Sequence, residues 1–258
     1  METTATVLSC EKVAVETFKM VLRTEAAKDP IRPGRFIHIK VPNHPEMILR
    51  RPISIHAADP GAQTLELIIQ RKGEGTHAIV AAKPGDVLDI VGPLGNGFTI
   101  PEGARRAAVI GGGLGVAPLY TILQSKGDCK VESFLGFRGA EYAYAVDDFA
   151  ALSDAMHLVS DDGSLGEKGF ATDKLDAALS KEPFDAVFAC GPMPMFKSLS
   201  KVMEKYPDVP CFISLEERMG CGVGACYTCI CKIKSADGDR HLRVCVDGPV
   251  FNIREVEL

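Results

Sequence analysis

No segment of this 258-residue sequence is apolar for long enough to span a bilayer, and none near the N-terminus joins a basic start to an apolar core. The first absence excludes a helical membrane span, and the second argues against a signal peptide. A basic excess is missing too. The 29 Lys and Arg face 34 Asp and Glu, a net charge of −5, which argues against nucleic acid as a main partner. The six histidines are scattered, with no spacing that would build a metal site or activate a nucleophile. Cysteine is the opposite case. There are nine, an odd number, which together with the missing export signal points to a reducing cytoplasmic setting.

Four of these cysteines form a pattern. Cys221, Cys226 and Cys229 stand as C-x4-C-x2-C, and Cys245 follows sixteen residues later. That is the plant-type spacing for a [2Fe–2S] cluster. Structural zinc and disulfides are the alternatives, although zinc ribbons favour two short C-x2-C knuckles set well apart. Gly222, Gly224 and Ala225 lie between the first two cysteines, where small residues let backbone N–H groups turn toward sulfur. Cys231 is expected to be a packed thiol rather than a ligand, and Cys10, Cys129 and Cys211 small core residues. A cluster of this kind moves one electron at a time. The rest of the chain should therefore hold a cofactor that exchanges single electrons for pairs.

The first hundred residues read as β structure, with short β-branched runs at Thr6–Cys10, Val13–Val15, Phe18–Arg23, Phe36–Val41, Ile53–Ala57 and Leu65–Ile69. Turn signals such as Asp59-Pro60-Gly61 separate them, and the spacing suggests a sandwich or barrel. Lys83-Pro84-Gly85-Asp86 and Gly92-Pro93-Leu94-Gly95 read as the closing punctuation of this unit, with a helical turn only at His77–Ala82. Two of its features suit an anion. Arg50-Arg51-Pro52-Ile53-Ser54 opens a strand with two guanidinium forks, and Gly73-Glu74-Gly75-Thr76 frees backbone N–H groups. A solvated strand edge and an ordinary turn are the plain alternatives.

Further on, the pattern alternates. The apolar run Ala107-Ala108-Val109-Ile110 enters Gly111-Gly112-Gly113-Leu114-Gly115-Val116-Ala117-Pro118, and a helix is predicted over Leu119–Lys126. Strand, glycine loop and helix form the setting for a dinucleotide pyrophosphate, or simply a tight βα turn. Predicted strands Val131–Phe137, His157–Ser160 and Ala186–Cys190 then alternate with predicted helices Val146–Met156, Phe170–Leu179 and Pro194–Lys205. The alternation predicts a parallel sheet covered on both faces, with ligand loops at the carboxyl ends of its strands.

Arg51-Pro52-Ile53-Ser54, Gly75-Thr76, the Gly111–Gly115 run and Cys190-Gly191-Pro192, in that order, resemble the ferredoxin–NADP reductase superfamily. Ser214-Leu215-Glu216-Glu217-Arg218-Met219, the cysteine group and the Asp247-Gly248-Pro249-Val250-Phe251 tail narrow the resemblance to the electron-transfer subunits of class 1B dihydroorotate dehydrogenase, over essentially the whole chain. It implies a β + α/β fold: an N-terminal antiparallel flavin-binding β-barrel over residues 1–100, a parallel-sheet nicotinamide-binding domain over 101–210 and a small C-terminal [2Fe-2S] module over 211–258. It also implies that Arg51 holds the FAD pyrophosphate, that Pro52, Ile53 and Ser54 belong to the same run with Ser54 beside the flavin ring, and that Ile68, Ile69 and Gln70 form a second flavin-contacting strand. Gly75 and Thr76 match the phosphate loop. Gly111, Gly112, Gly113 and Gly115, with Cys190, Gly191 and Pro192, would face NAD, and Cys221, Cys226, Cys229 and Cys245 would hold the cluster.

The implied partner is an FMN-bearing dihydroorotate dehydrogenase catalytic subunit, in a cytoplasmic heterotetramer with two copies of each. Electrons from that FMN would reach NAD+ through the cluster and FAD, as a step of pyrimidine biosynthesis. No catalytic residue is then expected in this chain, only residues that place cofactors. Met219–Tyr227 would contact the partner, with Met219 and Val223 exposed. Rival readings are a reductase subunit joining NAD(P)H to ferredoxin, sulfur or sulfite chemistry, and a redox sensor that transfers nothing to a nicotinamide. Arg138 is a candidate for a 2′-phosphate or for an ion pair with Asp147 or Glu141; the resemblance favours NAD.

Overall fold

The computed structural model describes residues 2–235 and 238–258. Six antiparallel strands come first: β1 (Glu2–Ala14), β2 (Thr17–Arg23), β3 (Phe36–Ile39), β4 (Arg51–Asp59), β5 (Thr64–Gln70) and, after helix α1 (Glu74–Val80), β6 (Val87–Leu94). They close a barrel in the order β1-β2-β5-β4-β3-β6. Closure leaves no strand edge exposed, and alternate residues such as Leu65, Leu67 and Ile69 fill the interior.

Two sequence readings change here. The closing punctuation of the unit hides a strand, because β6 runs from Val87 through Gly92 and Pro93 and puts Leu88 and Ile90 in the core. Gly92 is needed there: its φ is +143°, and a Cβ would crowd Ile37. The Gly73–Thr76 turn and the short helical segment are one element. Thr76 Oγ1 accepts the Gly73 N–H at 3.2 Å and starts α1 three residues earlier than predicted.

The second layer is a sheet of β7 (Arg106–Gly112), β8 (Lys130–Phe137), β9 (Ala155–Ser160), the short β10 (Glu167–Lys168), β11 (Ala186–Cys190), β12 (Cys211–Ser214) and β15 (Val250–Asn252), in the order β10-β9-β8-β7-β11-β12-β15. All its pairings are parallel except β12 with β15. Ala107, Ala108, Val109 and Ile110 of β7 are fully buried, as a strand covered on both faces requires. The helices are α2 (Tyr120–Gln124), α3 (Val146–Leu152), α4 (Ala171–Leu179) and α5 (Met193–Met203). α5 buries Phe196, Leu199, Val202 and Met203, a stripe at helical spacing. The helix predicted from Leu119 is preceded by a 3-10 turn over Gly113–Leu119. α3 stops at Leu152 because the Asp154 carboxylate turns back to accept the Val131 N–H at 2.8 Å, so Ala155 and Met156 belong to β9.

The last segment is threaded through the second layer. β12 and β15 extend the sheet, while β13 (Ile230–Ile233) and β14 (Arg240–Arg243) form a separate hairpin. Several ties fix the barrel to the rest. Buried His56 donates from Nδ1 to the Ala117 carbonyl at 2.8 Å, Phe98 meets Phe188 edge to face, and Asn96 Nδ2 donates to the carbonyls of Val246 and Asp247 at 3.1 and 3.0 Å.

Candidate functional site

Strand order reverses between β7 and β11, and open α/β sheets bind ligands at such a switch point. A cleft of about 610 Å³ opens there, between the carboxyl ends of the sheet strands and the barrel wall. The sheet contributes Gly112, Gly113, Gly115, Cys190, Gly191 and Pro192; the barrel contributes Pro52, Ile53, Ser54, Ile68, Ile69, Gln70 and Thr76. Gly111 does not line it. It lies inside β7 against Val116 and Leu119 and serves the packing of the turn.

Close packing shapes the floor. Any Cβ on Gly115 would overlap the Cys190 carbonyl and the Gly191 nitrogen, so the two loops touch backbone to backbone. Burial pushes the Cys190 thiol up, with Glu216 adding to it, so it stays protonated and neutral. Glu216 escaped the sequence reading. It lines the cleft, and although the residue is exposed overall, desolvation by the walls raises its carboxyl while Lys72 opposes. Arg138 also lines the cleft. Its guanidinium lies over the Tyr142 ring at 5.2 Å, and among the described residues it pairs with neither Asp147 nor Glu141.

Tyr144 was missed as well. Its ring is buried against Phe137, and its hydroxyl donates to the carbonyls of Gly113 and Leu114, at 3.1 and 3.0 Å. It pins the glycine loop from behind. Tyr144→Phe is expected to raise KM for the nicotinamide nucleotide by about 3- to 10-fold, the equivalent of one lost hydrogen bond, with kcat nearly unchanged. Steady-state NADH–dye kinetics check this.

Arg51 and Gly75 line a second cavity, of about 470 Å³, with Met47, Gly73 and Glu74. Lys72 and Thr76 are shared with the first cleft. Arg51 donates to the Leu49 carbonyl and packs on Gly75, where a Cβ would come within 2.7 Å of Nη2. Two adjoining cavities, one broad and walled on the barrel side by Ile53, Ile68 and Ile69, the other walled by a guanidinium and a helix start, fit an extended flavin dinucleotide.

The cysteines gather on one loop and the hairpin behind it. Gly222 and Gly224 take φ of +72° and +81°, which turns N–H groups inward. Cys221 Sγ accepts from the backbone N–H of Val223, Ala225 and Cys226 at 3.4, 3.2 and 3.4 Å, and Cys226 Sγ accepts from Cys221 N–H at 3.3 Å. The Thr228 hydroxyl and the Cys221 and Thr228 N–H groups pull the exposed Cys226 thiol down to about 6, whereas burial and the Cys229 side chain push Cys245 up to about 12. Burial also pushes Cys231 up to about 11, and it packs in the core with Ile233 and Val244. Among the described residues no three His, Cys, Asp or Glu groups converge to hold a single metal ion. The fit to a two-iron cluster rests on N–H donors aimed at sulfur. Val223, Tyr227 and Ile230 expose apolar surface around this loop, while Met219, expected outside, lines the cleft and packs on the core.

Comparisons with known proteins agree with this division. A family model for the iron–sulfur cluster binding domain of dihydroorotate dehydrogenase B matches residues 216–257, and one for the oxidoreductase FAD-binding domain matches residues 4–98. The chain is 42% identical to the dihydroorotate dehydrogenase B (NAD(+)) electron transfer subunit of Enterococcus faecalis (strain ATCC 47077 / OG1RF), over 98% of this chain and 97% of that one. It is 40% identical to the corresponding subunit of Bacillus caldolyticus, again over 98% and 97%. Among solved structures, the NADH-dependent reduced ferredoxin-NADP oxidoreductase superposes with a TM-score of 0.85 at 30% identity, covering 98% of this chain and 89% of that one. Phthalate dioxygenase reductase, at 18% identity and TM-score 0.66 over 94% of both chains, shares the fold.

Proposed function

The chain belongs to the family of dihydroorotate dehydrogenase B electron-transfer subunits, and from that premise we propose how its own residues carry electrons between a catalytic partner and NAD+. It is a flavin and iron–sulfur oxidoreductase subunit. The observation that carries the reading is that residues 216–257, matched to the iron–sulfur domain of this one enzyme, contain all four patterned cysteines.

When bound, the cluster supplies one-electron steps and FAD the exchange between single electrons and the pair that NAD+ requires. The chain's residues position these groups. Arg51, Gly75 and Thr76 would hold the FAD phosphates, and Pro52, Ile53, Ser54 and Ile68 to Gln70 would wall the ring. Gly112, Gly113, Gly115 and Cys190 to Pro192 would receive the nicotinamide nucleotide at the switch point. The neutral Cys190 thiol keeps charge out of that floor. Cys221, Cys226, Cys229 and Cys245 would ligate iron, with the Val223 and Ala225 N–H groups stabilising negative sulfur.

The catalytic subunit would dock on the loop side, over Val223, Tyr227 and Ile230, because exposed apolar surface there surrounds the exposed Cys226. Two copies of each subunit is the assembly we expect, in the cytoplasm, a setting that suits nine cysteines of which none forms a disulfide. The units would be a barrel over 1–100, a nicotinamide domain over 101–210 and a cluster module from 211, the last lending β12 and β15 to the middle sheet.

The test is co-expression with the catalytic subunit followed by flavin and iron analysis. FMN, FAD and a full cluster with NAD+-dependent orotate formation are expected. FAD and cluster with ferredoxin reduction, but no orotate, would overturn the assignment in favour of a second reading, an NAD(P)H–ferredoxin reductase subunit. That reading has its own support in the 0.85 superposition on the NADH-dependent reduced ferredoxin-NADP oxidoreductase.

A further inference from the structure

His38 has no role in anything above, and its position is hard to explain as filler. On β3, Ile37 and Ile39 point into the barrel core, so His38 points out of the barrel wall. It has no solvent exposure, and neither Nδ1 nor Nε2 has a hydrogen-bond partner. A buried unpaired donor costs about 1–3 kcal/mol, which a leucine at the same place would avoid.

The ring is aimed at the cysteine loop. A Cβ on Gly222 would stand 2.5 Å from His38 Nδ1, so the imidazole occupies the space that a side chain after Cys221 would need. Burial, with the Arg50 charge adding to it, pushes the His38 imidazole down to about 4 and keeps the ring neutral, and the nearby Cys221 and Arg50 backbones do not reach hydrogen-bond geometry. Gly222 separates Cys221 from Val223, whose N–H points at the Cys221 sulfur. Across the β3–β4 ladder, His38 pairs with Pro52, which lines the flavin cleft. One side chain thus bridges the cofactor wall and the first proposed iron ligand.

We propose that His38 is a positioning residue for the iron–sulfur loop: its single N–H is the donor for the Cys221–Gly222 backbone in the loaded protein, tying that loop to the flavin-lining strand. The role rests on the cluster reading given above. It needs no change of protonation, only a neutral ring. Tying down the Gly222 turn keeps the Val223 and Ala225 N–H groups aimed at the Cys221 sulfur, where they favour the reduced, more negative cluster, so loss of the tie lowers the potential.

The experiment uses the full chain assembled with its catalytic partner, as native protein, His38→Leu and His38→Asn. Asparagine keeps an N–H donor near the Nδ1 position; leucine keeps volume and removes the donor. Iron and FAD per chain, the cluster's one-electron midpoint potential and its electron paramagnetic resonance g values are read. His38→Leu is expected to disfavour reduction by about 3- to 10-fold, the upper end being 59 mV for one electron, with shifted g values, and His38→Asn to restore both. Loss of iron from His38→Leu alone, with FAD retained, supports the same role. The proposal is overturned if both variants match the native potential and g values, if asparagine fails to reverse the shift, or if both variants lose FAD together with iron, which would make His38 a barrel core residue. A native chain without iron would sink the cluster reading separately.

Discussion

Cys229→Ser is expected to abolish electron exchange with the catalytic subunit while leaving NADH–dye activity close to native. The two activities part because only one of them would draw electrons through the cluster. Dye reduction would need only the cleft between barrel and sheet, whose walls come from β4, β5, β7 and β11, the loops after them, and Glu216 and Met219 ahead of the cysteines. Exchange with a partner needs the loop around Cys221–Cys229. Changes outside the ligands of a metal site already cost about 10–100-fold, so removal of a ligand is expected to exceed 100-fold in NAD+-dependent orotate formation. The side chain is buried, and the Cys229 carbonyl holds the Val244 N–H at 2.8 Å, so a serine retains the backbone pairing and nearly the same volume. Loss of the chain's visible iron–sulfur absorbance, with FAD content intact, is the direct check. Equal loss of both activities would mean that cluster and flavin do not bind independently, and the modular reading would fall.

The outline of this arrangement was legible in the sequence for local reasons. Parallel strands buried on both faces are written as unbroken apolar runs, and Ala107–Ile110 and Ala186–Cys190 stand where those runs predicted. The cysteine spacing and the small residues inside it also carry their meaning locally. What stayed hidden depends on contacts between distant segments. β6 was masked because Gly92-Pro93 looks like a turn, and only the neighbouring Ile37 shows why a glycine sits within that strand. Tyr144 reads as one more aromatic until the fold brings it 30 residues back onto the Leu114 carbonyl. Glu216 lies just ahead of the cysteines, and only the fold carries it into the cleft. Gly111 failed in the other direction. It belongs to the glycine run by sequence, but the strand's alternation turns it into the packing layer.

That alternation makes the glycine run a set of unlike positions, and Gly115→Val is where the largest effect on nicotinamide binding is expected. A Cβ at 115 meets backbone, the Cys190 carbonyl group and the Gly191 nitrogen, and no rotamer change can relieve the overlap. The loops after β7 and β11 must separate, which opens the switch point that forms the cleft floor. Overpacking of this kind costs about 1–3 kcal/mol, and about 2 kcal/mol spent on holding the loops apart corresponds to roughly 30-fold in KM for NADH. Iron content should hold, since the cysteine loop does not contain Gly115, and FAD should be affected less than NADH, since Gly115 shares the cleft with the flavin ring but does not line the Arg51 cavity proposed for the phosphates. Gly113→Ala is the control. It lines the same cleft with a φ of +55° but nothing within 4 Å of a Cβ, so no loops are forced apart, and it should show a backbone penalty of about 1–2 kcal/mol, read as lower thermal stability, with a smaller rise in KM than Gly115→Val. If Gly115→Val binds NADH as tightly as the native chain at undiminished stability, the nucleotide does not enter over this floor. The two glycines differ in sequence only by their place in one run, so a divergent response would trace the binding site to the approach of two backbones at the sheet's reversal rather than to glycine content.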